Sequence, residues 1–102
     1  MGATVSEYRL GVVSVSLTPV SVAATTTAEQ TFTVNGLRVG DIVIPQIPAL
    51  TANVGIVNAR VSAANTLALT YVNANASPTV PAAGTYLLMV FRPEYTQVAF
   101  NP

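Results

Sequence analysis

Apolar and polar residues alternate along much of this chain with a period of two, the spacing of a strand that buries one face. Val13, Val15 and Leu17 are separated by Ser14 and Ser16, which predicts a half-buried strand ending at Thr18-Pro19, where proline removes a ladder donor. Residues 20–24 predict a second short segment continuing it around a bend, and residues 25–28 are a polar stretch. From 30 to 35, Phe32 and Val34 share one face and Thr31 and Thr33 the other, and Asn35-Gly36 supplies a turn that tolerates positive φ. Gly40-Asp41 punctuates before the apolar run Ile42, Val43, Ile44, which is expected to stop at Pro45. Residues 45–48 read as a loop, because two prolines three apart would each delete a ladder bond. Residues 55–61 and 66–72 predict a hairpin linked through 62–65, with Leu67, Leu69 and Tyr71 on one face. Residues 73–84 are a loop on composition, and 85–92 form the last strand. No apolar stripe at helical spacing outlasts one turn. The fold class is all-β: an antiparallel β-sandwich or small barrel, jelly-roll topologies included.

The last strand differs from the others. Tyr86, Leu88 and Val90 point one way and Leu87, Met89 and Phe91 the other, so both of its faces need cover. In a two-layer sandwich only one face meets the core, and an adjacent subunit is expected over the second. The alternative is a strand at the centre of a tightly closed barrel.

Composition sharpens that expectation. The 102 residues include only four basic and four acidic side chains, 8% against about a quarter in an average soluble protein, while 51% are apolar. There is no His, Cys or Trp. One domain of this size, without disulfides or a Cys/His metal site, must hold together by apolar contact. No apolar run approaches the eighteen or so residues of a helical membrane span, and seven aromatic residues are too few for the two girdles of a membrane β-barrel. No membrane partner is expected. A net charge of zero with no lysine lacks the electrostatic footprint of nucleic-acid binding, so none is expected there either. Glu7 and Arg9 precede any apolar run, and no secretion signal is read.

The side chains that carry most catalysis are missing. Without His or Cys there is no ordinary general base, thiolate or zinc ligand. Glu7, Glu29, Asp41 and Glu94 are scattered singly beside turns or termini, which reads as solvated carboxylates with arginine partners rather than a catalytic pair. Gly36 and Gly40 flank Leu37-Arg38-Val39 with no following phosphate-loop lysine, and read as turn glycines. Gly2 to Ser6 meets the loose acylation pattern and Asn75-Ala76-Ser77 the glycosylation sequon; chance accounts for both. No catalytic residue, cofactor or metal is expected.

Three segments carry a resemblance: Phe32-Thr33-Val34-Asn35-Gly36-Leu37-Arg38-Val39-Gly40-Asp41-Ile42-Val43-Ile44, the run from Gly55 through Leu69, and Gly84-Thr85-Tyr86. In that order they resemble small structural proteins of tailed bacteriophages, over about sixty residues. The resemblance implies a decoration (cement) protein or head-fibre base on the capsid exterior, made in the host cytoplasm, a homotrimer with the major capsid protein as partner. The competing expectation is a tail-tip or fibre component that binds a receptor or glycan; aromatic residues gathered in loops would favour it, and here they lie mostly in strands or the tail. On this reading 12–92 is the β domain, 1–11 an N-terminal arm and 93–102 a C-terminal arm or edge strand. The candidate oligomer or capsid interface is Tyr86, Leu88 and Val90 with Arg60 and Arg92, together with Tyr95, Val98 and Phe100 of the tail.

Overall fold

The computed structural model describes the backbone of residues 4–99 and the side chains of residues 9–93. Six strands follow one another: β1 (Thr4–Leu17), β2 (Thr26–Thr33), β3 (Ile42–Gln46), β4 (Val54–Ala63), β5 (Thr66–Asn73) and β6 (Gly84–Ala99). They form two three-stranded antiparallel sheets, one in the order β1-β6-β3 and the other β2-β5-β4. No helix occurs among the described residues.

The two sheets share one core. Leu17, Val43, Tyr86, Leu88 and Val90 enter it from the first sheet, and Val61, Leu67, Leu69 and Tyr71 from the second. Val22, Val34 and Leu37 close it from connecting segments. Alternation explains which residues these are: every second position of β6 from Tyr86 to Val90 points inward, and the cross-strand partners Val15 and Val13 of the first two do the same on β1.

The chain changes sheets between β2 and β3 through two successive turns. Leu37 N–H bonds the Val34 carbonyl at 3.4 Å and Asp41 N–H bonds that of Arg38 at 3.0 Å. The third position of each turn is a glycine of positive φ, +96° at Gly36 and +100° at Gly40, which a type II turn requires. The β4–β5 hairpin closes through Ala64-Asn65, with Asn65 left-handed at φ 60°. Asn65 also ties the hairpin to the first turn, since its side-chain oxygen accepts from Gly36 N–H at 2.8 Å.

Several segments depart from the sequence expectation. The polar stretch at 25–28 is where β2 begins: Thr26 and Thr27 pair with Asn73 and Val72 on a sheet whose outer face is solvated, and there Thr is a good strand residue. Residues 20–24 form no strand. They contribute a single bridge, Val22 to Thr79, and a buried Val22 side chain. The run at 42–44 does not stop at Pro45, because β3 continues to Gln46; β3 is an edge strand, where the missing N–H of a proline breaks no ladder. Residues 4–11 and 93–99 belong to β1 and β6, and the two ranges pair with each other from Thr4↔Ala99 to Tyr8↔Pro93, with a register shift between Val5 and Glu7.

Candidate interaction surface

The outer faces of the two sheets are chemically opposite. On β2-β5-β4, threonines dominate and the centre is crossed by an ion pair: Arg60 Nε and Nη2 each donate to a carboxylate oxygen of Glu29 at 2.8 Å. Glu29 is on β2 and Arg60 on β4, so the pair bridges the middle strand, where Ala68 is fully buried. The hydrogen bond from Arg60 holds the Glu29 carboxyl below its ordinary range, and Glu29 in turn raises Arg60.

The outer face of β1-β6-β3 is apolar. Its side chains form rows across the sheet in register: Leu10, Phe91 and Ile42; then Val12, Met89 and Ile44; then Ser14, Leu87 and Gln46. Leu10 is 60% exposed, Val12 66%, Ile42 48%, Ile44 55%, Leu87 43% and Met89 40%. Val12, Ile44, Leu87 and Met89 line a depression together with Pro45 and Gln46. At these exposures the six residues leave about 600 Å² of surface on one face, the upper end of what a monomeric protein shows as a single patch. None of the chain's eight charged residues occupies an outward position of these three rows.

The candidate interface read from sequence divides accordingly. Tyr86, Leu88 and Val90 are at most 7% exposed and belong to the core, a correction that follows from strand phase: β6 has two apolar faces, and the second sheet covers the one that carries these three. The unmet face is the other one, Leu87, Met89 and Phe91. Periodicity showed that two faces existed but carried no information on which would meet the second sheet. Of the flanking residues of this patch, Leu10 fell in the expected N-terminal arm, Val12 just ahead of the first expected strand, and Ile42 and Ile44 in a separate strand; the register brings them together. Arg60 is in the Glu29 clasp. Tyr95 and Val98 lie in β6 with side chains outside the described residues, and Phe100 lies outside them altogether.

Arg92 points inward and is anchored within the chain. Its Nε and Nη2 donate to the two Asp41 carboxylate oxygens at 2.9 and 2.8 Å, and Nη2 also donates to the Gly36 carbonyl at 2.6 Å. Asp41 accepts in addition from Arg38 N–H at 2.9 Å and is buried. The Arg92 hydrogen bond is the main cause that holds its carboxyl below the usual range, against the opposing effect of burial. Arg92 therefore locks the turn between the sheets onto β6.

Asn75, at the sequon, is likewise engaged internally: its amide nitrogen donates to the Ala52 carbonyl at 2.9 Å and to Thr79 Oγ1 at 3.3 Å. Two of the four carboxylates noted in the sequence, Glu29 and Asp41, are thus held apart in separate arginine clasps on different parts of the fold. No protein-family model, no curated protein and no solved structure matches this chain.

Proposed function

We propose that this chain is a structural subunit of a tailed-phage virion that binds the assembled capsid from outside and reinforces it, as a decoration protein and without catalysis. The observation that carries this reading is the contrast between the two sheets: one wears a polar, ion-paired exterior, while the other presents a charge-free apolar face that is unfavourable in water and favourable once covered. A protein with such a face is suited to working inside an assembly. The segments that resemble phage structural proteins are the passage between the sheets, the β4–β5 hairpin and the start of β6, the parts that set this two-sheet sandwich.

Reinforcement needs no reacting group. A protein that binds the closed shell but not its separate subunits shifts the balance toward the shell, and many copies acting together make weak single contacts sufficient.

Cosedimentation with capsids that lack the protein tests the proposal. Saturable binding at a fixed ratio of chain to capsid protein, with shells that then withstand more heat or denaturant, is the expected result. Failure to sediment with shells, accompanied by binding to host cells or glycans, would instead establish the receptor-binding reading.

A further inference from the structure

We infer that the outer face of β1-β6-β3 is where copies of this chain meet one another. The inference rests on the reading of the protein as a subunit that works inside an assembly, and names a second copy of the chain as what covers this face.

Area is the first reason. Two faces of about 600 Å² laid together remove about 1,200 Å² from water, the lower limit of a specific, stable interface. Sheets pack face to face when their side chains alternate outward as these do. The second reason is charge. A surface that recognises an unlike partner is usually marked by charges that steer and select it. The rows built on Leu10, Val12 and Ser14 hold no charge, so a copy of the same face meets them without a charge left buried and unpaired.

The third reason is the shape of the sheet. β3 pairs with β6 only from Leu87 to Phe91, so beyond Phe91 the sheet continues as β1 and β6 alone, from Arg9↔Arg92 out to Thr4↔Ala99. A two-stranded ribbon is marginal in water and needs a further layer. Its backbone pairing runs on without a break from the three rows through Arg9↔Arg92 to Tyr8↔Pro93. A second copy seated on the three rows extends over the base of the ribbon and supplies that layer.

The test is the mass of the free, full-length chain by sedimentation equilibrium at tens of micromolar, with no shells present. The expected result is twice the 10.6 kDa of one chain, because a face that meets its own copy closes as a twofold pair. A wild-type chain at the single-chain mass overturns the inference. The double variant I44D/M89D, which alters outward side chains only, is expected to fall to the single-chain mass with an unchanged strand spectrum; a folded double variant that keeps the wild-type mass overturns it too.

Should that variant fail to fold, the absence of cysteine allows a second measurement. Met89→Cys is expected to cross-link between copies with a short bis-maleimide, and Arg60→Cys on the opposite sheet is not. The reverse pattern refutes the assignment. Because shell binding is measured separately, a chain that self-associates through this face and ignores shells would end the capsid proposal and leave this inference standing.

Discussion

The hydroxyl of Tyr71 donates a hydrogen bond to the hydroxyl of Tyr86, 2.9 Å away across the core that joins the two sheets. Its direction follows from the next bond: Tyr86 donates its single proton to the Ala82 carbonyl at 2.7 Å, so towards Tyr71 it can only accept. Both rings are almost fully buried, at 1% and 0% exposure. The two tyrosines fasten β5 to β6 and β6 to the loop before it.

Unequal costs are expected for the two phenylalanine variants. Tyr71→Phe removes one donor and should cost about 1 kcal/mol, whereas Tyr86→Phe strands both the Tyr71 proton and the Ala82 carbonyl and should cost about 2–3 kcal/mol. In the Tyr86→Phe background, Tyr71→Phe should be neutral or stabilising, because it then removes an unpartnered hydroxyl. Urea titrations of the three variants check this.

Burial, reinforced by the bond to Tyr86, also pushes the Tyr71 hydroxyl well above an ordinary phenol. Above about pH 10 the unfolded chain loses this proton more readily than the folded one. The contribution is therefore whole below pH 10 and is lost as pH rises beyond it, and Tyr71→Phe should flatten that alkaline decline.

Asp41 and Arg92 predict the acid side. The Asp41 side chain is 1% exposed and that of Arg92 25%, so the pair is stronger than a surface ion pair yet short of a fully buried one. Asp41→Asn should cost about 2–3 kcal/mol at neutral pH. Because the native carboxyl titrates below its unfolded counterpart, its contribution is present above the unfolded value near pH 4 and is lost as pH falls through the native one. Asp41→Asn should therefore remove part of the acid-induced loss of stability. Arg60→Ala, which releases an exposed pair on the solvated sheet, should leave the denaturation midpoint nearly unchanged, with any small effect vanishing in salt.

The sequence carried the period-two pattern, the turn glycines and the β4–β5 hairpin because each is written locally. Phe32, Val34, Leu67, Leu69 and Tyr71 declare their faces by alternation, and Gly36 and Gly40 declare turns because few other residues accept their backbone angles. The start of β2 was hidden because Thr26 and Thr27 on a wet sheet face resemble a loop in composition, and the end of β3 was hidden by Pro45, whose tolerance depends on β3 being an edge. The apolar face was hidden for a different reason. Leu10, Ile42 and Phe91 are neighbours only through register between strands distant in sequence, which no local pattern encodes.

Gly84 and Gly40 separate steric cost from conformational cost. Both have positive φ, but a Cβ on Gly84 would meet the ring of Pro48 at 3.2 Å, while one on Gly40 meets nothing. Gly40→Ala should cost about 1 kcal/mol from backbone conformation alone. Gly84→Ala adds a clash with a rigid ring at the start of β6 and should cost at least about 2 kcal/mol. Thermal denaturation of the two variants checks the ranking, and a Gly84→Ala cost no larger than that of Gly40→Ala would overturn it.

Asn73, at the end of β5, is fully buried and satisfied at both ends of its amide. Its nitrogen donates to the carbonyls of Val22, Ala23 and Ser77 at 3.1, 3.3 and 3.0 Å, and its oxygen accepts from Asn75 N–H at 2.9 Å. The Asn75 bond fixes which end is oxygen, and three carbonyls converging on the nitrogen demand a donor there. Asn73→Ala should cost about 2–3 kcal/mol by leaving these groups unpaired. Asn73→Asp keeps the size but presents an acceptor to three acceptors, and at pH 7 it should be more damaging than alanine. Those carbonyls disfavour the ionised form, so the introduced carboxyl titrates higher folded than unfolded, and its stabilising contribution is whole below the unfolded value near pH 4 and fades as pH rises. The stability gap between Asn73→Asp and Asn73→Ala, measured from pH 3 to 7, should therefore widen against aspartate as pH increases; subtracting the alanine variant removes the acid response of Asp41 common to both. A gap independent of pH would mean that the site admits water or a counter-ion, and that the Asn73 amide is not the donor that ties these three segments together.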